Sequence, residues 1–252
     1  MNEAPSLEAR ALQKSFGAHR VIDNVALSLT TGERRALIGP NGAGKTTLIN
    51  LLAGRLKPDG GAILMNGVDI TDLAEAKRAR TGLARTFQIN SLFRNLTVFE
   101  NIYLAVSEQL TTAAHLLRPA LAEEEAVART EILIRDLGLA SVARSAVQLL
   151  PYGKQRLVEI AIALGLRPRV LLLDEPAAGV PAGETGVILD LVKALPAEIT
   201  VLLIDHDMDV VFRFAERITV LAQGMVLAEG LPDEIARHPR VREVYLGKRH
   251  RG

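Results

Sequence analysis

The chain has 252 residues, no cysteine, and 30 basic against 29 acidic side chains, for a formal net charge of +1. That balance supplies no global field for nucleic acid or anionic lipid, although a local basic patch stays compatible with it, and the missing thiols exclude disulfides and thiolate metal sites. The opening residues Met1-Asn2-Glu3-Ala4-Pro5-Ser6 lack a signal peptide's basic flank and apolar stretch, and no run of about 20 apolar residues occurs, so the expected location is the cytosol.

Residues 7–12 and 21–29 alternate or cluster apolar side chains about a turn signal at 14–18, which predicts two antiparallel strands. Phe16 falls at their tip, where an aromatic ring suits either the core or stacking on an adenine. Residues 35–38 read as a short buried strand. After it comes Gly39-Pro40-Asn41-Gly42-Ala43-Gly44-Lys45-Thr46-Thr47, a full G-x-x-x-x-G-K-[ST] that opens a helix over 45–56 stopping near Gly54. Its glycines let the backbone turn tightly, so that N–H groups and the helix N-terminus point at negative charge. Lys45 then reaches the β- and γ-phosphates and the Thr46 hydroxyl is placed to ligate Mg²⁺, which makes the stretch a cradle for a nucleotide's phosphates.

Beyond the cradle, 57–61 is a tight turn, 62–65 a strand, Asn66-Gly67 a hairpin turn and 83–87 another strand, ending at Gln88. Helical periodicity at 98–110 and 121–137, with Glu123-Glu124-Glu125 on a solvated face, predicts a helical subdomain over about 89–164 inserted in a core of about 1–88 and 165–252. The aliphatic run 170–173 suits the centre of a parallel sheet and ends in Asp174-Glu175. Adjacent carboxylates there suit phosphoryl transfer, Asp174 holding Mg²⁺ through water and Glu175 polarising the attacking water. A helix over 184–195, a strand over 200–204 ending in Asp205-His206-Asp207, a hairpin around Gln223-Gly224 and a helical tail over 233–246 complete the reading.

In this order the motifs resemble the ATP-binding subunits of ABC transporters from about residue 7 to 247. The resemblance implies an α/β P-loop NTPase fold, an ABC nucleotide-binding domain with an inserted α-helical subdomain and N-terminal antiparallel β strands. It makes Phe16 the adenine-stacking aromatic, Gln88 the loop residue that senses Mg²⁺ and attacking water, Leu150-Pro151-Tyr152-Gly153-Lys154-Gln155-Arg156 the signature segment, and His206 the switch histidine. ATP and Mg²⁺ are the implied cofactors. A second ATP-binding subunit, a copy or a paralogue, is implied as a partner, with each ATP between the cradle of one and the signature of the other. Integral-membrane permease subunits, approached through 88–97, and indirectly a substrate-binding protein complete the implied set, with the chain peripheral on the cytoplasmic face of the inner membrane and no nucleic acid involved.

Arg85-Thr86-Phe87-Gln88, Leu92-Phe93-Arg94-Asn95-Leu96-Thr97-Val98, Glu175-Pro176-Ala177-Ala178-Gly179, Asp205-His206-Asp207-Met208 and Tyr245-Leu246-Gly247 look like the branch serving branched-chain amino-acid uptake. Urea, small-carboxylate and lipopolysaccharide-export systems look similar, and a non-transport ABC protein or a binding module with little hydrolysis are the readings from other classes. Two positions depart from the pattern: Pro151 stands where the family usually has Ser, and Pro181 where it has Asp or Asn. Proline at 151 brings neither hydroxyl nor N–H to a phosphate, leaving Gly153 and Lys154 as donors, or else fixes the first turn of a helix beginning near Lys154.

Overall fold

The computed structural model describes residues 4–86, 92–113 and 119–246. Two sheets carry the fold. An antiparallel sheet orders β1 (Leu7–Phe16), β2 (His19–Leu29), β4 (Gly60–Met65) and β5 (Val68–Asp69) as β2-β1-β4-β5. The larger sheet has six strands, β3 (Arg34–Ile38), β6 (Leu83–Arg85), β7 (Val170–Asp174), β8 (Thr200–Ile204), β9 (Arg217–Ala222) and β10 (Met225–Gly230), in the order β10-β9-β3-β8-β7-β6. All its neighbouring pairs run parallel except β10 against β9.

Period-two alternation splits the aliphatic strands between two cores. Leu37, Leu172, Leu202 and Ile204 face β1, β2, β4 and helix α1 (Lys45–Ala53), which lies between the sheets. Ala36, Ile38, Leu171, Leu173, Val201 and Leu203 face the opposite way. On that side pack α3 (Val98–Ala113), α4 (Pro119–Asp136), α5 (Tyr152–Gly165), α6 (Ala182–Lys193) and α7 (Met208–Phe214). Glu123, Glu124 and Glu125 are exposed, as the charge run predicts.

Several elements differ from the sequence expectation, each for a local reason. Strand β1 continues to Phe16 because bulges between Ala9 and Ser15, with Ala11 at φ 48°, break the alternation without ending the pairing. The turn shrinks to Gly17-Ala18. The expected strand 83–87 ends at Arg85, Thr86 lying past its end, while Phe87 and Gln88 lie outside the described residues. Helix α6 begins two residues earlier than expected, at Ala182. The tail is two helices, α8 (Pro232–Arg237) and α9 (Pro239–Leu246), because Pro239 has no N–H to continue the first. Asn66-Gly67 and Gln223-Gly224 do turn hairpins, with φ of 49° and 79° and of 49° and 77°, the two left-handed residues of a type I′ turn.

Helix α2 (Glu75–Thr81) was not legible, yet it carries Arg78, a guanidinium only 1% exposed. Arg78 Nη1 donates to the Leu51 and Leu52 carbonyls at 2.7 Å, which belong to the last turn of α1, while Nε and Nη2 reach the Leu73 and Thr71 carbonyls at 2.8 Å. A cation on a helix C-terminus satisfies orphan carbonyls and complements the dipole. Replacing Arg78 with Met keeps most of the volume and strands four acceptors, so unfolding in denaturant should show a loss of about 3 kcal/mol or more. A loss below about 0.5 kcal/mol would mean that water replaces the guanidinium freely.

Candidate nucleotide site

The carboxyl ends of β3, β8, β7 and β6 lie side by side, and the candidate groups described at that edge come from the last residue of a strand or from the loop or helix start that follows it. After β3 the chain makes the glycine-rich loop. Gly42 and Gly44 have φ of 78° and 103°, a region closed to most side chains. Gly39 is required by proximity instead, because a Cβ there would collide with the Leu221 carbonyl of β9. Gly44 is the N-cap of α1 and no side chain caps the helix, whose first turn contains no acidic residue. Open N–H groups at the positive end of a helix are what a phosphate binds.

Within the loop, Pro40 O accepts from Ala43 N–H at 3.1 Å, and Ala43 O accepts from Gly224 N–H at 3.0 Å, tying the cradle to the β9–β10 hairpin. Asn41 and Gly42 are exposed and Ala43 is buried. Lys45 Nζ donates to the Gly39 carbonyl at 2.6 Å and the Pro40 carbonyl at 3.2 Å, so the ammonium is already curled over the loop. The Thr46 hydroxyl belongs to an exposed residue and Thr47 is half-buried. Phe16, half exposed, ends the strand whose hairpin partner β2 places Val21 O beside Gly44, and Lys14 Nζ lies 5.8 Å from its ring. This places the aromatic face outside the core, as stacking requires.

Asp174 ends β7 with its side chain 21% exposed and ion-paired to Arg85 at 2.6 Å. Glu175 follows at φ 47°, a left-handed conformation costly for a side chain and frequent where geometry serves chemistry. Its amide donates to Ile204 O of β8 at 2.8 Å, and its carboxylate Oε1 lies 3.2 Å from His206 Nδ1. In a neutral ring this contact fixes Nδ1 as the protonated nitrogen. Behind it, Asp205 Oδ1 accepts from the amides of His206 and Asp207 at 2.7 and 3.0 Å. Burial pushes the Asp205 carboxyl above its ordinary range, opposed by those two amides, and its buried Oδ2 has no partner among the described residues. Asp207 then caps α7 by accepting from Asp209 and Val210.

Donor chemistry fits magnesium. Among the described residues no group of three or more His, Cys, Asp or Glu side chains converges on one point. One hydroxyl at Thr46 and one carboxylate at Asp174 are too few for a protein cage, but suit an ion that keeps several waters and takes phosphate oxygens.

The signature segment stands apart from these contacts. Helix α5 begins at Tyr152, two residues before the expected Lys154, and Pro151 is its N-cap at φ −54°, ψ 149°, not a first-turn residue. Gly153 is buried against Glu184 of α6, whose carboxylate oxygen occupies the space of a Cβ. Lys154 Nζ donates to Gly138 O at 2.9 Å, so its charge is already committed. Tyr152 lies against Gly179 and 5.5 Å from the Arg156 guanidinium. Pro181 is likewise the N-cap of α6.

Sequence reasoning missed three residues here. Arg85 joins Asp174 to Asn50 of α1 at 2.6 Å, and its only sequence signal was a place beside Gln88. Asn101, 2% exposed, accepts from Phe93 N–H and donates to the carbonyls of Phe93, Leu96 and Thr97, shaping the loop before α3. Tyr245 of α9 has a buried hydroxyl near the Gly39 amide; burial pushes the phenol up to about 12, partly opposed by that amide.

Pro151→Ser should stabilise the chain by about 0.5–2 kcal/mol, because a hydroxyl at this N-cap can accept from the first turn of α5. It should change the rate of ATP hydrolysis by less than about tenfold, the equivalent of 1.4 kcal/mol. Denaturant unfolding and a phosphate-release assay check the two halves, and an inactive parent restored by this one change would overturn the second.

A family model described as ABC transporter matches residues 22–178, and one described as branched-chain amino acid ATP-binding cassette transporter matches residues 225–251. The high-affinity branched-chain amino acid transport ATP-binding protein LivG of Salmonella typhimurium is 41% identical over 251 residues, covering 97% of this chain and 98% of its own. The lipopolysaccharide export system ATP-binding protein LptB of Acidithiobacillus ferridurans is 40% identical over 242 residues, 96% of each chain. A solved dimeric ATP-binding cassette in a post-hydrolysis state, bound to ADP and Pi, matches 90% of this chain and 98% of that one with a TM-score of 0.76 at 27% identity. The stretch matched by the ABC transporter model contains both the cradle and the carboxylate pair, and the chain belongs to the ATP-binding cassettes of the ABC transporter family.

Proposed function

We propose that this cassette is the ATP-binding and ATP-hydrolysing subunit of an importer for branched-chain amino acids. The observation that carries hydrolysis is the contact of Glu175 with His206 at the ends of adjacent strands β7 and β8, next to the cradle that ends β3. The carboxylate takes up the proton of the attacking water, while His206 orients that carboxylate and lies on the γ-phosphate side. Lys45 and the N-terminus of α1 hold the β- and γ-phosphates. Thr46 and, through water, Asp174 would hold Mg²⁺, which would supply neutralising charge for the transferred group. Gln88, outside the described residues, is assigned the sensing of that ion and water on the family's pattern.

Two copies, or this chain and a paralogue, close on two ATP molecules, each between one cradle and the Pro151, Tyr152, Gly153 and Lys154 segment of the other. ATP binding closes the pair and hydrolysis reopens it. The arms joined in that motion are a core of about 1–88 and 165–252 and a helical subdomain of about 89–164. The branched-chain reading rests on the C-terminal family match at 225–251, and the export reading of the relative LptB is its rival. Among the described residues no helix is long and apolar enough to cross a membrane. The passage is therefore assigned to permease subunits, with the cassette on their cytoplasmic face and a substrate-binding protein acting at one remove.

The permease contact is assigned to the loop before α3. Leu92 is only 6% exposed and belongs to the core, whereas Phe93 is 61% exposed over a groove of about 250 Å³ lined by Asn101, Leu104, Ala105, Glu159 and Ile162. An exposed aromatic beside an apolar groove is a docking feature.

Glu175→Gln should keep ATP affinity and slow turnover by about 10²–10⁴. The trapped pair should then run as an ATP-dependent dimer on sizing chromatography; hydrolysis at the parental rate would remove Glu175 from the chemistry. Phe93→Ser should leave the isolated cassette's ATPase and its unfolding midpoint unchanged and lower amino-acid uptake in reconstituted vesicles. Full uptake by that variant would move the contact elsewhere.

A further inference from the structure

Arg85 is the last residue of edge strand β6, paired in register with Leu172 of β7. Its side chain is 8% exposed and both terminal nitrogens are engaged: Nη2 donates to Asp174 Oδ2 and Nη1 to Asn50 Oδ1, both at 2.6 Å. Asn50 follows Thr46 by four residues, hence one turn along the same face of α1. The guanidinium therefore ties together the two elements, α1 and β7, from which the hydroxyl and the carboxylate of the metal side come.

We infer that Arg85 is a positioning residue that restricts Asp174 to a one-oxygen, water-mediated role and so makes the cassette discriminate Mg²⁺ from Ca²⁺. The inference rests on the reading of Thr46 and Asp174 as the metal side of the ATP site. A buried guanidinium that loses its carboxylate is left as an uncompensated charge, so Oδ2 stays committed to Arg85 and Oδ1 is the oxygen outside that ion pair. Calcium takes six to eight oxygens and accepts bidentate carboxylates, whereas magnesium demands a small octahedron and keeps its waters. A carboxylate with one oxygen held by a guanidinium serves the second ion and denies the first its chelate. Nearby positive charge also weakens Asp174 as a direct ligand for either ion, which leaves the phosphates as the principal ones.

A bridge that merely joined β6 to α1 would alter stability and ATP affinity without regard to the ion. The two roles separate in the ratio of ATP affinities measured by calorimetry in Ca²⁺ and in Mg²⁺, with a chelator-treated sample as the metal-free reference. Arg85→Gln should move that ratio toward calcium by about tenfold, the equivalent of about 1.4 kcal/mol. Arg85→Lys, which keeps a cation for Asp174, should stay within about threefold of the parent. An Arg85→Gln ratio within about twofold of the parent overturns the inference, whatever happens to stability. Should that variant not fold, Asn50→Ala frees one arm of the fork, and its ratio should move the same way by about threefold; no movement there overturns the inference equally. A parent whose ATP affinity is indifferent to Mg²⁺ would instead sink the reading of Thr46 and Asp174 as a metal side.

Discussion

Helix α1 starts at Gly44, which has no side chain to cap it, and a first turn without acidic residues is what leaves a helix start open to a phosphate. An uncapped start costs stability, and the rest of the structure is arranged to hold the helix in spite of it. Its apolar face, with Leu48, Ile49, Leu51 and Leu52, is buried between the two sheets. Its last carbonyls are taken by Arg78. Near its middle, Asn50 is bound by Arg85, which also binds Asp174. The loop before it cannot relax outward either, since Gly39 lies against the Leu221 carbonyl and Ala43 accepts from Gly224. The open N-terminus is thus a feature imposed by tertiary contacts, with little owed to helix propensity.

The parallel arrangement converts this local constraint into a site. Residues that follow β3, β8 and β7 are remote in sequence, at 39, 205 and 175, yet neighbouring strand ends bring them to one edge. At the open end of a parallel sheet no side-chain layer covers the loops, and chemistry collects there. Glu175 accepts a left-handed backbone to direct its carboxylate toward His206, and the Ile204 carbonyl holds it there. Asp205 does comparable work from behind, organising two successive amides so that His206 stays above the sheet edge.

What was legible in the sequence was what has a short-range signature. The cradle could be read because its glycines, lysine and threonine act through backbone geometry within nine residues, and both hairpin turns declared themselves through Asn-Gly and Gln-Gly pairs. Long-range polar contacts left no such trace. Arg78 reads as one more charge in a short polar stretch, and only the fold shows that it meets the end of α1. Arg85 and Tyr245 stood in runs that carry the branch resemblance, but their contacts, like those of Asn101, could not be read, since each bonds or approaches backbone or side chains that no periodicity can pair with it. Leu92 and Phe93 show the limit from the other side: adjacent apolar residues in a loop share one sequence signal, and burial of the first with exposure of the second is decided by Asn101 and the helices beneath.

The two prolines that depart from the family pattern acquire a common physical meaning in the fold. Pro151 and Pro181 are the N-caps of α5 and α6, and each leaves its helix without a side-chain cap. Glu184, in the first turn of α6, brings its carboxylate against Gly153 in the first turn of α5, so one acidic group serves the positive ends of both helices. In the proposed dimer a γ-phosphate would approach the same start of α5. Two negative groups compete for one helix end, and the carboxylate, on a flexible side chain, is the one that can turn away. Under this arrangement the lost serine hydroxyl matters less than the N–H groups behind it, because a proline N-cap leaves those of Gly153 and Lys154 for whichever anion is present.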